Sequence, residues 1–398
     1  MEITIPNRHR IYVASFLMDM VCAFVVGAAA VYAIELGAGP IHLGLLGAAG
    51  AAFYVISCLL SGRLCDLLSR KAIIIAAAAF AAASCLMLAR AEALWELYVY
   101  YSGFHAGIGF FWPALQALLA DSRHAKSLAV TLGNFCIFWS LGFTAGHYVC
   151  GYLTKVSATL PFAWCVAGSL VILIICFTLS EIEGREKGSS ADFLARTNGQ
   201  TRVLWNRFLI SGWLANFTLV FTLSSAKMLF PKLALDVDHL DRALLGIMLA
   251  LIHGGQFLMF WLAKYWHGWQ YNRRIYLLTQ LIALPGTALL AFSSSVAAYA
   301  AGMLMIGLCA GFTYTSSIYY STSRPPESAT RTGIHEAFIG LGILLGPLAG
   351  GFVSGAWNDL HSPYILCSVL VLGAFAVQAF LLYRPLSGQE KSSEALQR

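Results

Sequence analysis

The chain has 398 residues, of which 59% are hydrophobic and only 11% charged, with a mean hydropathy of +0.72 and a net charge of +6. Soluble domains carry roughly a quarter charged residues, so this mix excludes an ordinary water-soluble fold. The basic residues are scattered through short polar breaks rather than gathered into one patch, which excludes a nucleic-acid-binding surface.

Apolar runs long enough to cross a bilayer, about 20 helical residues each, recur along the whole chain. Lipid cannot hydrogen-bond free backbone groups, so runs of this length are helices. The first run, 11–34, is too long for a signal-peptide core and has no small-residue cleavage site before a soluble domain. It is expected to remain as a span. The breaks then place spans at 42–62, 72–90, 96–119, 128–154, 160–180, 207–230, 243–265, 275–293, 297–320, 333–355 and 362–383. The longest polar stretch, 181–206, separates two sets of six. The expected architecture is an all-α membrane protein of about twelve transmembrane helices in two pseudo-symmetric six-helix bundles. Its parts are a first bundle over 1–180, a linker over 181–206, a second bundle over 207–385 and a tail over 386–398.

Basic residues near span ends resist translocation. With the amino terminus inside, 20 of the 25 lysines and arginines fall on the inner side; Arg90, Lys155, Lys232 and Arg242 lie outside and Lys227 lies in a span. Both termini are therefore expected in the cytoplasm, in a plasma membrane of the bacterial inner-membrane kind. Most of the ten cysteines fall within or beside apolar runs with no metal-ligand spacing, and read as packing residues.

Glycines support a duplication. Gly107, Gly133, Gly142, Gly146 and Gly151 recur as Gly307, Gly333, Gly342, Gly346 and Gly351, each 200 residues on. Duplicated halves with a binding site between them are a known plan for moving solutes across membranes.

Ionisable residues inside spans are costly and so are functional candidates. Asp19 in the first span is the strongest, because it lies nine residues, about 13 Å of helix, beyond Arg10. Its short carboxylate either faces a cavity, as a proton or substrate site, or bonds a neighbouring helix. Lys227 lies four residues before Pro231, from where its long stem is expected to reach outer water. His253 and Gln256 share a helix face three residues apart and suggest a packed polar contact or a cavity wall. His105 reads as a titrating group or as a satisfied interior histidine. His335 and Glu336 are expected to open the eleventh helix, where a carboxylate suits the amino-terminal end. The tenth span closes on TYTSSIYYSTS, of which Tyr314 is the candidate cavity residue.

The turn after the second span reads SGRLCDLLSRK, with Gly62, Asp66, Arg70 and Lys71 in the pattern G-x-x-x-D-x-x-G-R-[RK], Ser69 replacing the second glycine. The eleventh span carries Gly333, Gly342, Gly346, Pro347, Gly350 and Gly351, and the fourth the rhythm Gly107, Gly109, Pro113. In these motifs, in its span count and in its duplicated halves the chain resembles the major facilitator superfamily. The resemblance implies that Gly62, Asp66, Arg70 and Lys71 belong to a latch between the halves, to which Glu336 is added as a gating candidate. It also implies that helices 1, 4, 7 and 10 line a central cavity, which would gather Asp19, His105, Lys227 and Tyr314. The glycine pattern of the eleventh span resembles an exporter signature that in this family sits in the fifth. Here the fifth span keeps Gly142 and Gly146 but has His147 for the proline and Cys150 for the first paired glycine. The fourth span has Gly103 where proton-coupled members carry an arginine.

No G-x4-G-K-[ST], G-x-S-x-G or paired-histidine zinc helix occurs, so ATP-driven transport and catalysis are not expected. The expectation is a secondary transporter, not an enzyme, that works by alternating access, as a monomer in lipid, on a small-molecule substrate, with protons as the coupling ion. Export of an amphipathic compound leads; an uptake symporter or facilitator is the alternative, and a sensor or intramembrane enzyme lies outside the class. No cofactor or metal is expected.

Overall fold

The computed structural model describes residues 4–121, 128–180, 199–266, 268–323 and 328–385. Twelve long helices follow one another among these: α1 (Thr4–Glu35), α2 (Pro40–Leu67), α3 (Arg70–Leu88), α4 (Leu94–Asp121), α5 (Leu128–Val156) and α6 (Leu160–Phe177). The second set is α7 (Gly199–Lys232), α8 (Arg242–Tyr265), α9 (Arg273–Phe292), α10 (Val296–Thr322), α11 (Ser328–Trp357) and α12 (Ser362–Tyr383). A π-helical turn, Leu233–Val237, extends α7. Residues 199–206, expected in the linker, are thus the first turns of α7; the rest of the linker and the tail lie outside the described residues.

The helix starts are written in side-chain chemistry. The side chains of Ser69, Asp241, Asn272 and Ser295 accept from the first free backbone N–H groups of α3, α8, α9 and α10. Proline stands in the opening turn of α2, α6 and α12, where its missing donor costs nothing. Basic residues close several ends. Arg10 and Lys71 donate to the carbonyls of Thr178 and Phe177 at the end of α6, and Arg207 donates to that of Arg384 at the end of α12.

Ten of these helices contain an 18-residue stretch apolar enough to span a membrane, by length and composition. The other two, α4 and α5, carry histidines, tyrosines, tryptophans and glycines where the rest carry aliphatic residues. Large apolar side chains such as Leu59 and Phe380, 71% and 64% exposed, turn outward along the flanks, as a lipid-facing surface requires. One apolar core runs through α1–α6 and takes in Met228 and Leu229 of α7; of two more in α7–α12, one takes in Val31 of α1.

Within the first bundle α1 packs on α5 and α6, and α4 on α2 and α3; in the second, α7 packs on α10, α11 and α12, and α10 on α8 and α9. Two seams join the bundles, α5 with α8 and α2 with α11, and α7 also meets α1 and α2.

The glycine repeat is a repeat of contacts. A Cβ on Gly142 would strike the Phe16 carbonyl of α1, and one on Gly342 would lie 3.0 Å from the Phe217 carbonyl of α7. Gly146 meets Met20 and Ala23 in α1, as Gly346 meets Phe221 and Ser224 in α7. Gly151 then abuts Gly246 of α8 and Gly351 abuts Gly44 of α2, so the same register closes both seams at one end. The pair Gly107 and Gly307 departs from this symmetry: the first packs on α3, the second on α8. Gly133 and Gly333 lie at the opposite end, where a Cβ would meet only the Lys264 stem at 3.8 Å or nothing within 4 Å.

Candidate functional site

A cavity of about 220 Å3 lies between the bundles. Every substrate or proton candidate read from the sequence lines it: Asp19 of α1, His105 of α4, Lys227 of α7, His253 and Gln256 of α8, and Tyr314 of α10. Glu336 and Pro347 of α11 line it too.

Asp19 is 4% exposed. Among the described residues its carboxylate has no hydrogen bond or ion pair, so the reading of a bond to a neighbouring helix gives way to a cavity-facing one. Lys227 also departs from expectation. Pro231 lies in the last turn of α7 and the chain stays helical through the π-helical turn, so Pro231 does not mark where the helix meets outer water, and the Lys227 side chain lines the cavity instead. The ammonium stands over the Phe143 ring of α5 at 5.2 Å, within electrostatic range of Asp19 but not ion-paired with it.

Behind Phe143 stand two imidazoles. The His253 ring stacks on Phe143 at 4.4 Å and on His147 at 5.2 Å. His253 Nδ1 shares a 2.6 Å hydrogen bond with Gln256 Oε1, and His147 Nδ1 donates to the Phe143 carbonyl at 3.0 Å. The Nε2 atoms of both are buried without a partner among the described residues. His105 is fixed by Nδ1 donating to the Tyr101 carbonyl at 2.9 Å, and the Tyr101 hydroxyl reaches Met228 of α7 at 3.8 Å.

The far part of the cavity is aromatic. Trp139 of α5, Phe260 of α8 and Tyr314 of α10 meet edge to face at 5.2–5.8 Å across the bundle boundary. Glu336 belongs to this part, within electrostatic range of Tyr54, Tyr314 and Cys136. It was expected at the start of its helix, but α11 begins at Ser328, two turns earlier, so Glu336 is a wall residue rather than a cap.

The latch candidates of the turn after α2 lie elsewhere. Arg70 donates to the Ala117 carbonyl of α4 at 3.0 Å and Lys71 to Phe177 of α6 at 2.7 Å, contacts inside the first bundle. A Cβ on Gly62 would meet nothing within 4 Å, and the Asp66 side chain lies outside the described residues. Gly350 packs against Leu229 of α7 and Pro363 of α12.

Sequence reading missed Trp139, Phe143, Phe135 and Met228, cavity residues that look like any apolar residue of a span. His147 had a signal, as an imidazole where a proline was expected. Among the described residues no group of three histidines, cysteines or acidic residues is placed to hold a metal ion.

The end of the cavity toward the α1–α2 and α7–α8 loops is shut. Gly44, Gly351 and Pro347 meet backbone to backbone on one seam, and Gly151, Gly246 and His147 on the other. Polar bridges reinforce the second seam. Lys155 pairs with Asp241 at 2.7 Å, and Arg242 joins Glu35 at 2.5 Å and the Thr154 carbonyl at 2.8 Å.

Twelve helices in two six-helix bundles, with a buried and charged cavity at their boundary, define a polytopic transporter rather than an enzyme. The Major Facilitator Superfamily matches residues 11–332, and again 254–397, and the chain belongs to it. It is 25% identical to Multidrug resistance protein 1 of Bacillus subtilis, over 78% of this chain and 79% of that one. It is 22% identical to the Quinolone resistance protein NorA of Staphylococcus aureus, over 88% and 89% of the two chains. Among solved structures, the nucleoside transporter NupG superposes with a TM-score of 0.75 at 12% identity, covering 97% of this chain and all of that one. A bacterial homologue of the human lysosomal transporter Spinster superposes at 0.70 and 16% identity, covering 98% and 95%. These likenesses carry the fold.

Proposed function

We propose that the protein is a proton-coupled exporter of an amphipathic aromatic compound, in which the two bundles rock about the cavity between them. The observation that carries this is Asp19, a carboxylate in the membrane interior with no bonding partner among the described residues and a face on the cavity. An ionisable group in such a place is costly unless it exchanges protons or meets a ligand. The aromatic wall of Trp139, Phe143 and Tyr314 suits planar apolar rings. Relatives named for multidrug and quinolone resistance favour export over uptake.

The distribution of lysine and arginine favours cytoplasmic termini, which makes the shut end the outer one and the cavity inward-facing. Purified protein in proteoliposomes, given fluorescent aromatic amphiphiles with and without an imposed pH gradient, tests the reading. Gradient-dependent movement against the compound's concentration supports it; movement indifferent to the gradient overturns the coupling, and accumulation in the direction of proton flow overturns export.

A further inference from the structure

At the end opposite the shut seams, the rims of the two bundles are built alike but use their basic residues differently. In the first bundle the cations of the rim serve the protein. Lys71 donates to the Phe177 carbonyl and Arg10 to that of Thr178, which closes α6, and Arg70 donates to the Ala117 carbonyl of α4. In the second bundle Arg207 closes α12 in the same way, through the Arg384 carbonyl. The first turn of α9, which answers that of α3, carries Arg273 and Arg274, and the residue that caps α12 is Arg384 where α6 has Thr178. The guanidinium of Arg273 lies over the Tyr383 ring of α12 at 5.6 Å. Arg274 and Arg384 are exposed, and among the described residues the side chain of neither has a hydrogen bond or an ion pair.

Each of these two arginines heads an apolar stripe that faces outward. Leu278 and Leu281 follow Arg274 by four and seven residues along α9, and Phe380 and Val377 precede Arg384 by four and seven along α12. Such spacings keep each set on one helix face, and all four apolar side chains are exposed. The helices pack on one another, and the contact of Arg273 with Tyr383 holds the heads of the two stripes together. Two cations without a counter-charge thus stand at the membrane boundary, at the top of a lipid-facing apolar surface. An anionic phospholipid has the complementary layout, a phosphate at the boundary and acyl chains below it. A zwitterionic lipid brings an ammonium of its own and so gains less; a soluble anion leaves the stripes unused.

We propose that the α9–α12 rim docks one anionic phospholipid, its phosphate held between Arg274 and Arg384 and its chains laid along the two stripes. The phosphate oxygens accept from the guanidinium forks as charge-assisted hydrogen bonds. Cytoplasmic termini place this rim in the inner leaflet, where the surface is negative. None of these residues lines the cavity, so the site is distinct from the one between the bundles.

Native mass spectrometry of the delipidated full chain in detergent tests this, by titration with phosphatidylglycerol or with phosphatidylcholine of the same chains. The first phosphatidylglycerol adduct is expected at a concentration at least about tenfold lower, as two arginines near a charged headgroup allow. Arg274→Gln should cost about fivefold of that preference, and Arg274→Gln with Arg384→Gln should abolish it. Arg63→Gln removes the same charge from an exposed position at the end of α2, on the same membrane side, and should change nothing. Lysine at both positions should keep the preference, which separates lost charge from lost fold. Equal binding of the two lipids to the wild type overturns the proposal, as does an Arg63→Gln variant that loses as much as Arg274→Gln. Inorganic phosphate or deacylated glycerophosphoglycerol that displaces the lipid at equal concentration would reveal a plain anion site, and would overturn lipid docking.

Discussion

Gly151 and Gly246 touch across the bundle boundary with no space for a side chain on either. A Cβ on Gly246 would lie 2.6 Å from the Gly151 Cα, and one on Gly151 would lie 2.8 Å from the Gly246 Cα. The obstacle is backbone on both sides, so it cannot rotate away. Gly246→Ala is expected to part α5 from α8 at this end and shift the resting population toward the open form. Spin labels on the α1–α2 and α7–α8 loops, read by double electron–electron resonance, should show a longer distance in the variant; an unchanged distribution would mean that the seam does not act as a gate.

The polar bridges beside that seam act more weakly. The Arg242 and Glu35 side chains are 30% and 40% exposed, and an exposed pair contributes about 0.2–1 kcal/mol. Glu35→Ala, which removes the pair and leaves the Arg242 bond to the Thr154 carbonyl in place, should therefore change the open fraction by no more than about fivefold. Asp241, at the start of α8, accepts from Lys155 and from the Ala243 backbone, and these contacts hold its carboxyl below the ordinary aspartate range. A lowered native pKa stabilises at any pH above the unfolded value and is lost as pH falls through the native one. The Lys155 bridge should thus persist down to about pH 4 and loosen only in stronger acid. The same label distances recorded against pH check this, with Asp241→Asn expected to remove the acid step.

Asp19→Asn is expected to abolish gradient-driven movement while leaving the fold intact. Among the described residues the carboxylate bonds to nothing, so the substitution removes a charge without breaking a contact. Equal thermal unfolding of variant and wild type in detergent, with loss of pH-driven flux in vesicles, is the expected pair of results. Normal flux with normal pH dependence would remove Asp19 from the coupling path.

Gly346→Leu should damage the protein more than Gly146→Leu. A Cβ on Gly346 meets the Phe221 carbonyl and the Ser224 hydroxyl, whereas on Gly146 the nearest atom is the Ala23 methyl at 2.6 Å, with the Met20 carbonyl at 2.7 Å. Pro347 also fixes the α11 backbone next to the contact. Overpacking commonly costs about 1–3 kcal/mol, and the larger share is expected at Gly346. Folded yield after detergent extraction separates the two variants.

The helical architecture was legible because a bilayer accepts few alternatives, and apolar runs of about 20 residues leave little doubt about the helices. The ionisable cavity residues were legible for the same reason: Asp19 and His105 are anomalies in apolar runs. Trp139 and Phe143 were not, since an aromatic residue in a span serves lipid, core or cavity equally well, and only helix rotation decides among them. Glu336 was misplaced by an early polar boundary. The polar residues Ser328–Thr332 look like loop by hydropathy, yet they form the first turns of α11, and the carboxylate moves from the helix end into the wall. Lys227 was misread through Pro231, which ends many helices but here sits in the last turn before the π-helical extension.

The basic residues that close α6 and α12 have a consequence for membrane insertion. Arg10, Lys71 and Arg207 each satisfy a terminal carbonyl, so the atoms that bias a span against translocation also finish a neighbouring helix. Orientation and helix termination therefore rest on the same three side chains. Glutamine at these positions separates them, since it keeps a donor for the carbonyl while giving up the charge, whereas alanine surrenders both.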